Sequence, residues 1–414
     1  MNYENMLVLA VRAKSTAIVH GHDFMRPLLA KKCHFLDYIE VYQKYGYKDA
    51  QAYVFDYIKT HNIKCMFNSS SSAEFYFDIG FFERLNKEVF IVRCVGDTQH
   101  FYDVSEQYYC QTADLVIDTE LTGIYRLKQL GVNAYFCPGA YDTSRYSNKK
   151  LMKDIDVSFV GQIRDKVNRV RYLRYLKDNG INIQVYGPDS KNGTISFEEK
   201  LNVFNRSKIV LSINSVAERT RLTRKFNIHR RFKVIKPPVF EGIMCGSFVL
   251  SEFAPDIEEF FDAGRDLDMF YDEKELLEKV RYYLANDVIR EEIALRGCNK
   301  LKEKRYVDLD YHLPNIMLKI DELARKKPSR SRQTVYVDDI LLTNFSTFRV
   351  LMLIRFIKKF EMRKAVAELM QILKYRRIDL YQVRIFLIEE ILDLFPKFKN
   401  LLKRFIGDVD EKGL

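Results

Sequence analysis

The sequence predicts an α/β protein built from two Rossmann-like domains in tandem, followed by a small all-α extension. Three observations carry this. The chain has 414 residues, too many for one ordinary core. Short apolar runs alternate with amphipathic stretches in two successive arrays of similar size. A basic, Pro-containing break then precedes a purely helical pattern.

In the first array, 6–12 (MLVLAVR), 63–68 (IKCMFN), 89–95 (VFIVRCV) and 113–118 (ADLVID) read as strands, and 50–60 as a helix between two of them. Near-continuous apolar strands separated by helices imply a parallel sheet covered on both faces. A Pro-Gly turn in 133–141 (NAYFCPGAY) and a polar linker at 142–153 close this array. The second array opens with a strand at 155–160 and a helix at 167–178. Strands at 181–186, 208–213, 247–250 and 268–271 follow, with helices at 197–204, 239–245, 256–261 and 274–285. One helical stretch, 289–323, ends it. The expected domains are 1–150, 151–324 and a helical extension at 335–414, with helical periodicity over 345–360, 361–375, 379–395 and 397–406.

Composition narrows the class. An apolar fraction of 47% with 30% charged residues fits a soluble globular chain rather than a disordered one. The apolar run near the N-terminus is too short for a signal-peptide core and lacks a basic leader. No stretch reads as a membrane span. The expected location is therefore cytoplasmic, including attachment at the inner face of the membrane. The seven cysteines are scattered without CxxC spacing, which suggests neither a zinc site nor a disulfide framework. Of the net charge of +11, about +9 lies after Ala324. That makes the extension a candidate for an anionic membrane surface or, as its wide apolar faces favour, for a helical bundle packed on the enzyme or on a second copy as a homo-oligomer, and separable from donor binding. Nucleic acid is not an expected partner, because no reading module accompanies the cations.

The sharpest local signal is 236–246 (KPPVFEGIMCG). Proline suits the first helical turn, where its missing N–H costs nothing, and Cys245-Gly246 supplies a stop. The N-terminus of such a helix can face an anion. Glu241, placed in its first turn, has two readings: an acid favourably placed against the helix dipole, or a carboxylate accepting hydrogen bonds from sugar hydroxyls.

The segment "FEGIMCGSFVLSEFAPDIEEFFDAGRDLDMFYDEKELLEKVRYYLAND" resembles the C-terminal half of the spore-maturation CgeB-like glycosyltransferases. These are relatives of the large retaining family of glycogen and sucrose synthases. "DIDVSFVGQIRDKVNRVRYLRYL", "INIQVYG" and "ADLVIDTELTGIYRLKQLGVNAYFCPGAYD" match the same pattern in order. The resemblance implies the GT-B fold, two Rossmann-like domains facing a cleft, with a nucleotide-sugar donor held mainly by the second. It assigns Phe240 and Glu241 to the family's Phe-Glu pair, with Glu241 on the ribose hydroxyls. Gly161 and Gln162 fall at the diphosphate, and Ala254, Pro255 and Asp256 at the sugar or phosphate. Two departures alter the donor contacts: Lys233 stands where the broader family has an earlier glutamate, and Pro238 where many CgeB-like chains have arginine.

A basic cluster offers compensation. Arg231, Lys233 and Lys236 are the candidates to stabilise a departing diphosphate. In the first domain, Asp97 and His100 follow an apolar strand, where ligands of open α/β sheets collect, and are the candidates for the base that accepts the acceptor proton. His20 and His22 rank below them. Four Asp-x-Asp triplets, at 154, 266, 308 and 408, read as chance in so charged a chain. No essential metal and no cofactor beyond the donor are expected. The function read from the sequence is sugar transfer from a nucleotide sugar to an unidentified surface-polysaccharide, lipid-linked or protein acceptor. A nucleotide-sugar epimerase and a non-catalytic binding protein of the same fold are the alternatives.

Overall fold

The computed structural model describes residues 2–11, 28, 31–69, 75–163, 167–188, 190–216, 233–326 and 334–392. The chain divides into two compact units. The first holds a six-stranded sheet: β1 (Met6–Ala10), β2 (His34–Asp37), β3 (Cys65–Ser69), β4 (Phe90–Val95), β5 (Leu115–Asp118) and β6 (Ala134–Phe136). Its order is β2-β1-β3-β4-β5-β6, and every pairing is parallel. The four strands expected from apolar runs are β1, β3, β4 and β5. The other two occupy the sheet edges, where β6 is only half-buried, so no long apolar run marks them.

The C-terminal helices Asp339–Lys358, Met362–Tyr375 and Leu380–Leu392 fall in this first unit. Arg349 and Glu368 are fully buried and lie 3.4 Å apart. Tyr42, from the helix Tyr38–Tyr45, donates its hydroxyl hydrogen to Glu368 and accepts from Arg349. The Arg349 guanidinium also lies 4.7 Å from the Phe345 ring centre and 5.2 Å from that of Tyr47. Phe348 packs edge-on to Tyr76 at 5.1 Å. The packing reading of the extension fits this arrangement, because these helices complete the core under Tyr38–Tyr45. The expectation that nothing is apolar enough to span a membrane is corrected. Asp339–Lys358 is long and apolar enough to cross one by length and composition, and in this fold it is a partly buried packing helix around Arg349.

The second unit holds β7 (Ile155–Val160), β8 (Ile183–Tyr186), β9 (Ser207–Ser212), β10 (Phe248–Glu252) and β11 (Asp268–Phe270). The order β11-β10-β9-β7-β8 is again wholly parallel. Val157, Phe159, Leu211, Phe248 and Leu250 meet Tyr172 and Leu176 of the helix Val167–Asp178 and Leu276 and Val280 of Glu273–Ala285 in one core. The single helical stretch read at 289–323 is two helices, Asp287–Lys304 and Leu309–Lys326. Arg305 breaks it at φ 55°, and the Tyr141 backbone bonds the Val307 carbonyl at 2.8 Å and the Leu309 N–H at 2.9 Å.

Candidate functional site

Parallel strands end at one edge, and ligands of such sheets collect where the strand order reverses. In the second unit the chain runs from β7 outward to β8, then crosses back to β9 on the other side of β7. The switch point is therefore the pair of strand ends β7 and β9. Gly161 and Gln162 follow β7, and Asn214 and Ser215 lie just past β9. Arg169 ties the two together: its guanidinium donates to the carbonyls of Gln162 at 2.7 Å and Ile213 at 3.2 Å. Gly161 also donates its N–H to the Tyr186 carbonyl at 2.9 Å. The next turn comes so close that a Cβ on Gly187, at φ +140°, would stand 2.2 Å from the Gly161 oxygen.

Beside this point lies a buried carboxylate that the motif reading missed. Glu252, at the end of β10, is fully buried. One of its oxygens accepts the N–H groups of Asn214 at 2.9 Å and Ser215 at 3.0 Å, and the Ser215 hydroxyl at 2.9 Å. The other takes the Lys233 ammonium at 2.8 Å and the Tyr172 hydroxyl at 3.3 Å. Burial, then the Glu252 charge, pushes the Tyr172 phenol up to about 12. Asn214 in turn accepts the Lys236 N–H at 3.2 Å and donates to Ser251 at 2.9 Å. Lys233 and Lys236 are thereby brought to the ends of β9 and β10. A signal existed: Asn214-Ser215 comes one residue after an apolar strand, and Glu252 ends another.

The helix expected at 239–245 is Pro237–Met244, with Lys236 as its N-cap and Pro at its start. Glu241 lies in its second turn, not its first, so it is not placed against the helix N-terminus. Its side chain points inward. It is 1% exposed and forms a 2.6 Å ion pair with Lys200 of the helix Phe197–Arg206, with the Tyr146 hydroxyl at 3.4 Å. This second-turn position turns the carboxylate toward the neighbouring helix and away from solvent. Phe240 is likewise a core residue, packed against Tyr141, Phe260 and Phe261. Neither side chain is on the open strand-end surface.

Ala254, Pro255 and Asp256 do follow β10 at that edge. Ala254 is buried and the other two half-buried, with Asp256 left-handed at φ 74°. Arg231, with His20 and His22, lies outside the described residues. In the first unit, Asp97 sits half-buried after β4 at φ 52°. His100 is 3% exposed and edge-on to Phe101 at 4.6 Å. The adjacent backbone N–H groups of Thr98 and Gln99 are taken by the Glu120 carboxylate at 2.5 and 3.1 Å. In the triplets at 154 and 266 every carboxylate has a cation partner: Asp154 with Arg206, Asp156 with Lys208, Asp266 with Lys300 and Asp268 with Lys279; in the triplet at 308, Asp308 pairs with Arg305. Among the described residues no group of three His, Cys, Asp or Glu side chains could hold a metal ion.

Residues 166–308 match the glycosyl transferase-like family, about a third of the chain. No curated protein matches the chain in sequence. The fold is similar to that of Anabaena HepE, solved with UDP and glucose, at TM-score 0.54 and 11% identity, over 77% of this chain and 99% of that one. It is also similar to sucrose-phosphate synthase from Thermosynechococcus elongatus, at TM-score 0.52 and 10% identity, over 78% of this chain and 88% of that one. S. aureus TarM matches at TM-score 0.46 and 14% identity, over 67% of this chain, which spans 58% of that protein. The two parallel sheets form a GT-B fold, as in HepE and the synthase. With its glycosyl transferase-like domain, the chain falls in the class of glycosyltransferases.

Proposed function

We propose that the chain transfers a sugar from a nucleotide-sugar donor bound at the ends of β7, β9 and β10, as a CgeB-like enzyme. The observation that supports this most is the switch point itself. The Gly161 turn lies there beside the Asn214–Ser215 corner, which binds the buried Glu252 together with Lys233, while the Lys236 N–H reaches Asn214. Gly161 lets a diphosphate approach the backbone. Lys233 and Lys236 supply the positive charge that a departing diphosphate needs, so the chemistry proceeds without a metal. Glu252 holds Lys233 in place until the donor competes for it. Glu241 anchors the helix behind the site through Lys200 rather than touching the ribose. In the first unit, Asp97, at its strand end, is a better base than the buried His100. Sugar acceptors of the surface-polysaccharide or lipid-linked kind suit this reading.

Calorimetry with UDP and UDP-glucose, with and without EDTA, tests the proposal. Micromolar to millimolar binding that survives EDTA is expected. Lys233→Ala should weaken it by about 1.5–3 kcal/mol, the scale of a hydrogen bond to a charged group. Binding that Lys233→Ala leaves unchanged removes this edge from the donor site. The same holds if no nucleoside diphosphate or nucleotide sugar of any base binds.

A further inference from the structure

The helix Met362–Tyr375 buries polar side chains and exposes an apolar stripe. Its buried positions are Ala365, Glu368 and Gln371, and Glu368 points inward to Arg349. Ala365, Ile372 and Tyr375 lie on that inner side too, but five of its apolar residues face the other way: Met362, Val366, Leu369, Met370 and Leu373 are 41–57% exposed. At about 100° per residue these five fall within one arc of about 100°. An ordinary surface helix turns that stripe to the core and its polar residues to water. The turn before the helix adds Phe360, 89% exposed and left-handed at φ 58°. The following helix also exposes Leu380 and Tyr381, by 72% and 57%.

We infer that this outward face docks on an anionic lipid bilayer. Charge decides between occupants. The stripe is bordered by Lys359, Arg363, Lys374 and Arg376, and the Arg363 side chain is 91% exposed. A second copy meeting the same face by two-fold symmetry sets cations against cations. An anionic bilayer neutralises them while the apolar stripe enters the headgroup boundary, the arrangement that gives interfacial helices their affinity. The inward Arg349–Glu368 pair fixes the helix rotation, so the stripe stays outward without a rearrangement. This surface is independent of the donor site.

The test uses the full chain with phosphatidylcholine vesicles, with and without phosphatidylglycerol, in sedimentation at two salt concentrations. Binding only to the anionic vesicles, falling as salt rises, is expected. Arg363→Gln and Lys374→Gln should each weaken it about fivefold. The double variant Val366→Glu/Met370→Glu should abolish it while keeping the native circular dichroism and melting curve. Equal sedimentation of native and double-variant chains overturns the inference. A dimer seen by light scattering without lipid, dissociated by Val366→Glu/Met370→Glu, overturns it in favour of a second copy. A monomer that ignores both vesicle types overturns it in favour of cover by residues 393–414.

Discussion

Burial turns ordinary side chains into the ones with the largest consequences. Lys200 and Glu241 are both nearly inaccessible and 2.6 Å apart. Removing one partner leaves the other charge buried, which costs about 3–5 kcal/mol. Lys200→Met should therefore lower stability by that amount in urea unfolding, and the double variant Lys200→Met/Glu241→Gln should recover most of it. If Lys200→Met is neutral, the pair does not anchor the helix. In the first unit, Asp118 is fully buried at the end of β5. One oxygen accepts from the Thr98 hydroxyl at 2.8 Å and the Glu120 N–H at 3.0 Å, and the other has no hydrogen-bond partner. Burial first, then the neighbouring Glu120 charge, raises its carboxyl well above the usual range. A raised acid keeps a proton in the folded chain that the unfolded chain has already lost. Stability therefore falls as pH rises from about 4 toward the folded value, and stays reduced above it. Asp118→Asn keeps the accepting oxygen and removes the charge. It should melt higher than the native chain at pH 8 and close to it at pH 4. A lower melting temperature at pH 8 contradicts the assignment.

At the scale of elements, the strand-end turns set the site. Gly187 and Gly193 both have positive φ, but their surroundings differ. A methyl on Gly187 would stand 2.2 Å from the Gly161 carbonyl, whereas around Gly193 there is nothing within 4 Å. Gly193→Ala should cost only the left-handed penalty, about 1–2 kcal/mol. Gly187→Ala should cost more and should also displace the Gly161 turn, so nucleotide affinity falls together with stability. Paired thermal melts and UDP titrations of the two variants check this. Equal effects on both readouts would detach the Gly161 turn from donor binding. The burial of Cys137 and Cys245 pushes both thiols up to about 12, so alkylation during such measurements should leave these two unmodified in the folded chain.

For the molecule as a whole, the C-terminal helices are part of the first unit. Tyr42 and Phe75 of that unit rest on Arg349, Phe345 and Phe348, and Val335 donates its N–H to Glu83 at 2.7 Å. A chain ending at Lys326 strips those partners and leaves Tyr42 and Tyr47 facing water. It should be insoluble, or melt well below the full chain. A cooperative melt at the native temperature would show the extension to be separable after all. Arg349→Met in the full chain, which leaves Glu368 buried without its cation, should give a milder version of the same loss.

The alternation of apolar runs with amphipathic stretches was enough, by itself, to set the two parallel sheets. A strand covered on both faces must be apolar at successive positions, as in Ile155–Val160, and the helix that covers it must show period 3.6, as in Phe197–Arg206. The basic cluster pointed to Lys233 and Lys236, and the family resemblance to Gly161 and Ala254–Asp256. Which way a side chain faces was decided only by the tertiary structure. Glu241 is a plausible sugar ligand by its motif, but one turn of helix directs it to Lys200 instead. Glu252 reads as an ordinary strand-terminal acid until β9 and β10 pair and bring Asn214, Ser215 and Lys233 around it. The separable look of the tail came from its linker and its charge, both local properties. Its attachment rests on Arg349 and Tyr42, which are 307 positions apart in the chain. Periodicity records the environment of a residue within its own element, whereas ion pairs and buried hydrogen bonds join residues that only the folded chain brings together.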